Sequence, residues 1–414
     1  MHITEAIAAT HRYIDTRWTE TVRTSREDTA NEISLPHPHT VPSTDPSMWL
    51  FFYWDVYFTN LGLLRSGHVE QARHNADNIL SLIERFGYVP NMTVRIALNR
   101  TQIPLSASIC RDVHAATGDD TWLAHALPLL EHEYTFWMAQ RLAPNGLNRA
   151  GTHADPHTID AFAKVIAHRV RDLPPEPIAR RRYLQHKLAE CEVWDFTPRF
   201  DQRCMDFNPV DTNAALFLFE RILADFHAHL GRPAEAALWR ERAAARRELV
   251  DRYLWDEAQG FYFDYDWVNR CRGPVVSGAA WFALWTGLCS DRQAARLVAN
   301  LPLLERDHGL IACREGSNPT ANTFQWDAPN AWPPLQCAAI MGLRRYGYHA
   351  EACRLAEKYV QTCARNFTAT DQLWEKYNGV TGGIDVADEY RMPPMLGWTA
   401  GIFLYAEEVL ASSE

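Results

Sequence analysis

The chain has 414 residues, 47% of them hydrophobic and 22% charged, a globular balance that excludes disordered and fibrous classes. Its 41 basic against 51 acidic residues leave a formal net charge of −10, the wrong sign for holding a phosphate backbone, so no nucleic acid partner is expected. The longest weakly polar stretch, 277–289, falls short of the ~18 to 20 apolar residues that span a bilayer, so no membrane partner is expected either.

Apolar residues recur at helical spacing through most of the chain, as at Ile7, Ile14 and Trp18 and later at Ala236, Trp239, Ala243 and Val250. The pattern predicts helices over about 3–21, 55–66, 69–86, 104–117, 121–140 and 157–189, the last broken at Pro174-Pro175. It continues with helices over about 210–230, 233–253, 275–288, 292–302, 332–345, 349–366 and 397–411. Gly67, Gly118, Gly231 and Gly347 punctuate the series. The fold class is therefore all-α. Tandem hairpins stack as an open solenoid or close into a toroid; no self-similar period of ~34 to 47 residues recurs, which favours the toroid. No low-complexity linker divides the chain, so one domain over 1–414 is expected. The connections 35–54, 87–103, 142–157, 191–210, 256–274, 304–331 and 370–396 are rich in Pro, Gly, Asn and aromatics, and site residues belong there.

Nucleotide chemistry finds no support, because neither GxGxxG nor GxxxxGK[ST] occurs. His37 and His39, His125 and His132, and Asp264 and Asp266 lack the context of a ligand set, so neither metal nor other cofactor is expected. The nine cysteines are odd in number and form no CxxC. With a start that shows no apolar leader core, they suggest reduced thiols in a cytoplasmic protein.

What remains is a series of loops that pair a carboxylate or amide with Trp or Tyr: 51–55, 193–196, 325–334 and Asp388-Glu389-Tyr390. Such pairs suit carbohydrate, since an indole face packs on the C–H side of a pyranose while Asp, Asn and Gln bond its hydroxyls. A small sugar is the expected partner.

Here the sequence resembles a known family. Tyr53 through Leu63 is similar to the first trehalase signature, and Gln325 through Pro334, followed by Leu335-Gln336, resembles the second nearly residue for residue. Weaker matches lie in the family's order at Tyr88 to Asn91, Arg100 to Gln102, Glu133-Tyr134, Trp194 to Phe196 with Arg199, Pro209 to Asp211 with Asn213, and Glu389-Tyr390 before Gly397-Trp398. The resemblance implies an (α/α)6 toroid of six hairpins and an inverting, exo-acting α-glycoside hydrolase, with hydrolases of mannosylglycerate or glucosylglycerate as relatives. It makes Asp195 the proton donor and Glu389 the general base. It places Tyr53, Trp54, Asp55, Asn91, Arg100, Gln102, Trp194, Arg199, Asn213, Gln325, Trp326, Asp327 and Trp398 on substrate-binding motifs.

The chain departs from the pattern at two arginines. Ser47 stands where trehalases place one, and 151–157 replaces an Arg-Pro-Glu-Ser element after Leu147-Asn148-Arg149. The leaving-group subsite is therefore expected to differ, with Arg95 or His157 as substitute contacts. A sugar epimerase using His on the same toroid is the alternative of another class, but no His lies beside Trp194 or Glu389. A helical scaffold without chemistry would not place carboxylates beside Trp.

Overall fold

The structure, a computed structural model, describes residues 2–170, 173–320, 322–387, 389–394 and 397–412. Asp388 of the last Trp- or Tyr-flanked loop falls outside them. Helices alternate along the chain between an outer and an inner position. The outer helices are α1 (Ile3–Arg17), α3 (Val69–Phe86), α5 (Asp120–Gln140), α9 (Pro233–Tyr253), α11 (Asp291–Ala299) and α13 (His349–Thr370). The inner ones are α2 (Tyr53–Arg65), α4 (Ser106–Thr117), α8 (Val210–His229), α10 (Ala280–Thr286), α12 (Pro333–Arg345) and α14 (Gly397–Ala411). Each inner helix packs on the next and α14 packs back on α2, which closes the ring and makes the fold an (α/α)6 toroid. Two further helices, α6 (Pro156–Val165) and α7 (Pro177–Glu190), are inserted between α5 and α8.

The burial pattern follows from position. In α2 every residue from Tyr53 to Leu63 is buried, as expected of a helix with neighbours on all sides, whereas α9 buries only Ala236, Trp239, Ala243, Arg246 and Val250, a single stripe. The closing seam depends on glycine. A Cβ on Gly401 would meet the Phe58 carbonyl oxygen at 1.9 Å, and one on Gly62 would meet the Gly401 Cα at 2.7 Å. One continuous apolar core runs from Ile14 to Val409. A satellite of Ile159, Phe162, Ile166, Leu184, Leu188, Phe196 and Phe324 seats α6 and α7 on the loops at 196 and 324.

Two predicted helices differ. Residues 275–279 do not join α10, because their backbone pairs across to the next loop: Gly278 N–H bonds Ala312 O at 2.8 Å and Arg314 N–H bonds Val276 O at 2.9 Å. The span 157–189 becomes two helices. α6 stops at Val165, Arg169 N–H turns back to Ile166 O, and Pro177 restarts the chain at the first turn of α7.

The loops that enter α2, α4, α8, α12 and α14 all arrive at helix N-termini, so they meet at one mouth of the ring. No helix among the described residues is long and apolar enough to cross a membrane.

Candidate active site

That mouth opens into a cavity of about 300 Å³. Its walls are aromatic: Trp54 and Trp398 from the first turns of α2 and α14, Trp326 and Trp332 from the loop entering α12, and Tyr390. The indoles brace one another. Trp326 is stacked on Trp332 with centroids 3.8 Å apart, and tilted Trp54 and edge-on Trp398 lie 5.8 and 5.9 Å from the rings of that stack. Rings locked in this way present flat faces with little freedom left to lose on binding.

Polar groups fill the gaps between the faces. Asp55 is buried in the first turn of α2. Burial pushes its carboxyl well above the usual range, and the charges of Glu375 and Asp195 push it further. No other described side chain bonds it, which leaves its oxygens for a ligand. Asn91 is anchored by its Nδ2 on Cys191 O at 2.8 Å, and Gln102 accepts the Trp54 N–H at 3.0 Å. Arg100 donates to Ile96 O and Asn99 Oδ1 and has no carboxylate partner among the described residues.

Asp195 and Glu389 meet through one guanidinium. Arg169, in the turn after α6, donates from Nη1 to Asp195 Oδ2 at 3.0 Å and from Nε to Glu389 Oε2 at 2.8 Å. Its end-on fork thus holds Asp195, with Nη2 on the Asp195 carbonyl, while its flank holds Glu389. Burial works against the Arg169 charge, but Asp195 and Glu389 outweigh it and hold the group protonated. The two carboxyls sit in unequal surroundings: the Asp195 side chain is 40% exposed and that of Glu389 only 7%. Burial pushes Glu389 above the usual carboxylate range, and Arg169 with the Gln325 N–H opposes this without cancelling it.

Gln325 ties the pair together from behind. Its backbone N–H bonds Glu389 Oε1 at 3.1 Å and its side-chain amide donates to the Asp195 carbonyl. The Asp195 loop is pinned again where Thr197 N–H bonds the buried Glu190 at 2.8 Å, a carboxylate paired with Lys187.

The residues singled out in the sequence fall into two groups. Trp54, Asp55, Asn91, Arg100, Gln102, Asp195, Trp326 and Trp398 line the cavity. Glu389 and Gln325 reach it through Arg169 and Asp195. The others form a layer behind the wall. Trp194 is buried and stacks on the back of Trp326 at 5.1 Å, with the Arg199 guanidinium over its far face at 4.1 Å. Arg199 spends its donors on Asp211 and Asp264, Asn213 bonds Asn148 and Pro209 O, Asp327 bonds Asn318 and Ala328 N–H, and Tyr53 OH donates to Glu133 at 2.7 Å. Nor do the substitute contacts line the cavity: Arg95 pairs with Asp28 at 3.1 Å, and His157 is exposed on α6.

Of the lining residues outside the predicted set, three bear most on the chemistry: Arg169, Glu375 and Trp332. Arg169 lay inside a predicted helix, where a basic residue reads as a solvated face. Glu375 is buried, accepts from Tyr390 OH at 2.6 Å and from Lys376, and sits beside Trp374. That is the aromatic–carboxylate pairing sought elsewhere, with Glu in place of Asp. Trp332 was part of the second signature but was not singled out as a binding residue.

Comparison with known proteins agrees with this geometry. Residues 2–410 match the family described as Trehalase. The chain is 32% identical over 433 aligned positions to a periplasmic trehalase of Xanthomonas oryzae pv. oryzae, covering 96% of this chain and 72% of that one, and equally similar to one of Xanthomonas campestris pv. campestris. Among solved structures, a neutral trehalase from Saccharomyces cerevisiae superposes with a TM-score of 0.83 at 23% identity, covering 99% of this chain and 95% of the other. A mannosylglycerate hydrolase from Thermus thermophilus gives 0.65 at 17%, covering 96% and 99%. The relatives named periplasmic overturn the expectation of a cytoplasmic protein. That expectation leaned on the cysteines, and burial pushes the thiols of Cys110, Cys204, Cys313 and Cys337 up. A thiol kept protonated and out of reach is inert in either compartment, so its count does not report the compartment.

Proposed function

The chain belongs to the trehalase family and is a glycoside hydrolase; on that premise we propose that it removes a terminal α-linked glucose from trehalose or a closely related small α-glucoside, with inversion, as a single catalytic domain over 1–414. The observation that carries this is the Arg169 bridge between Asp195 and Glu389 on a small cavity walled by tryptophan. The cavity is at the small end of ligand sites, ~300 to 1,000 Å³, which suits one or two sugar rings rather than a polymer.

Asp195, the more exposed carboxyl, gives its proton to the leaving oxygen. Glu389 takes a proton from the water that attacks the anomeric carbon on the opposite face. An inverting pair must leave room for that water, and two carboxyls held on different sides of one guanidinium, with no bond to each other, are arranged in that sense. Burial makes Glu389 a stronger base, while Arg169 and the Gln325 N–H favour its ionised form. Trp326 and Trp398 pack on the sugar, while Asp55, Asn91 and Arg100 bond its hydroxyls.

A second substrate class is favoured by one observation. Ser47 bonds Asp45 and does not reach the cavity, so the arginine that trehalases carry there has no replacement at that place. Glucosylglycerate or mannosylglycerate would need fewer contacts than a second glucose. The test is kcat/KM for trehalose, kojibiose, nigerose, maltose and the two glycerates, with the new anomer followed by NMR before mutarotation. Initial β-product and a lead for trehalose support the first reading, and a lead for a glycerate moves the assignment to the second. On trehalose, inversion releases β-glucose from the attacked ring beside α-glucose from the leaving ring, so an initial product that is wholly α overturns inversion.

A further inference from the structure

Away from the cavity, two imidazoles and a carboxylate converge where three helices end. His114 lies in the last turn of α4, Asp120 opens α5, and His229 closes α8. His114 Nε2 stands 2.9 Å and His229 Nε2 2.7 Å from the same atom, Asp120 Oδ1. One ligand atom from each residue falls within 4.8 Å of the other two. The rings meet edge to face, 73° apart with centroids at 5.1 Å, so their nitrogens point to a common place instead of stacking past one another.

We propose that His114, Asp120 and His229 bind a divalent transition metal of the zinc class, which clips α4, α5 and α8 together. Two imidazole nitrogens with one carboxylate oxygen suit zinc, whereas magnesium and calcium call for oxygen ligands throughout. Tetrahedral bonds of ~2.0 to 2.1 Å set neighbouring ligand atoms roughly 3.3 Å apart, so on binding each nitrogen parts from Asp120 by a few tenths of an ångström while the two nitrogens, within 4.8 Å of one another, draw together.

The surroundings favour a cation. The C-terminal carbonyl ends of α4 and α8 both face this region, against the N-terminus of α5 alone. His114 is the anchored member at 16% exposure, while Asp120 at 62% and His229 at 48% leave an open path for the ion and a place for a water ligand. The site lies at the C-terminal ends of α4 and α8, and the cavity at the N-terminal ends of the inner ring. The metal therefore acts on stability, not on the reaction.

The test uses the full chain, stripped with a chelator and titrated with zinc chloride at about pH 7.5 by calorimetry and thermal unfolding. One equivalent should bind and raise Tm by mass action, and Co²⁺ in its place should give the visible absorption of a low-coordinate site. His114→Asn and His229→Asn should each weaken zinc binding at least about tenfold, abolish the Co²⁺ band and leave kcat unchanged. No saturable zinc uptake below about 1 mM, or uptake that both variants leave intact, overturns the proposal and leaves an ion-pair cluster only.

Discussion

Asp195 and Glu389 share one counter-charge, the Arg169 guanidinium, at 3.0 and 2.8 Å. Because Arg169 lowers a Glu389 carboxyl that burial has already raised, removing it must raise that carboxyl further. Arg169→Gln should therefore lower kcat/KM by about tenfold to a hundredfold and move the acidic limb of its pH profile to higher pH. A profile that stays in place, or moves down, shows that Arg169 does not govern the base.

The two carboxyls can be separated by leaving group. Asp195→Asn and Glu389→Gln should each lower kcat on the natural glucoside by ~10² to 10⁴ with an unchanged circular dichroism spectrum. On α-glucosyl fluoride, whose leaving group needs little protonation, the Asp195 variant should recover much of its rate and the Glu389 variant none. Equal recovery in both would cancel the assignment of acid and base.

Glu133 links pH to stability instead of catalysis. Burial pushes its carboxyl up to about 7, against about 4.3 in an unfolded chain. The folded state thus holds the proton to higher pH. Its contribution, on the order of 3 kcal/mol, is complete below the unfolded value and is lost as pH rises through about 7. Glu133→Gln offers the same partners to Tyr53 and Ser106 without titrating. Urea midpoints of the variant should exceed those of the parent at about pH 8 and converge with them near pH 4.

Arg199 should behave as a structural residue. It is fully enclosed between Asp211 and Asp264, so Arg199→Met leaves two buried carboxylates unpaired and should cost ~3 to 5 kcal/mol. For the fraction that folds, KM should stay within about twofold of the parent. A large rise in KM with stability intact would place the guanidinium on the substrate.

The helices were legible because an amphipathic or wholly apolar repeat is a local property, and α3, α9 and α12 match their predicted spans to within one residue. Residues 275–279 were misread because their backbone bonds to a partner some 35 positions away, which no local period records. The same limit applies to the site. Trp54, Asp55 and Trp326 stand out as aromatics and acids in loops and Trp398 by its place in the motif order, and all four line the cavity. Trp194, Arg199 and Asn213 matched the same motifs yet form the layer behind it, since a motif marks a position in the chain and not which side of a wall it faces.

Sequence alone determined the all-α class, the helix series, the sugar-suited loops and the family, because each is written in neighbouring residues or in motif order. Only the tertiary structure decided that the ring closes through Gly62 against Gly401 and that the inserted α6 turn delivers Arg169 to Asp195 and Glu389, 26 and 220 positions away. Only it brought His114, Asp120 and His229 together. Charges interact through space, and their partners are set by how the helices pack.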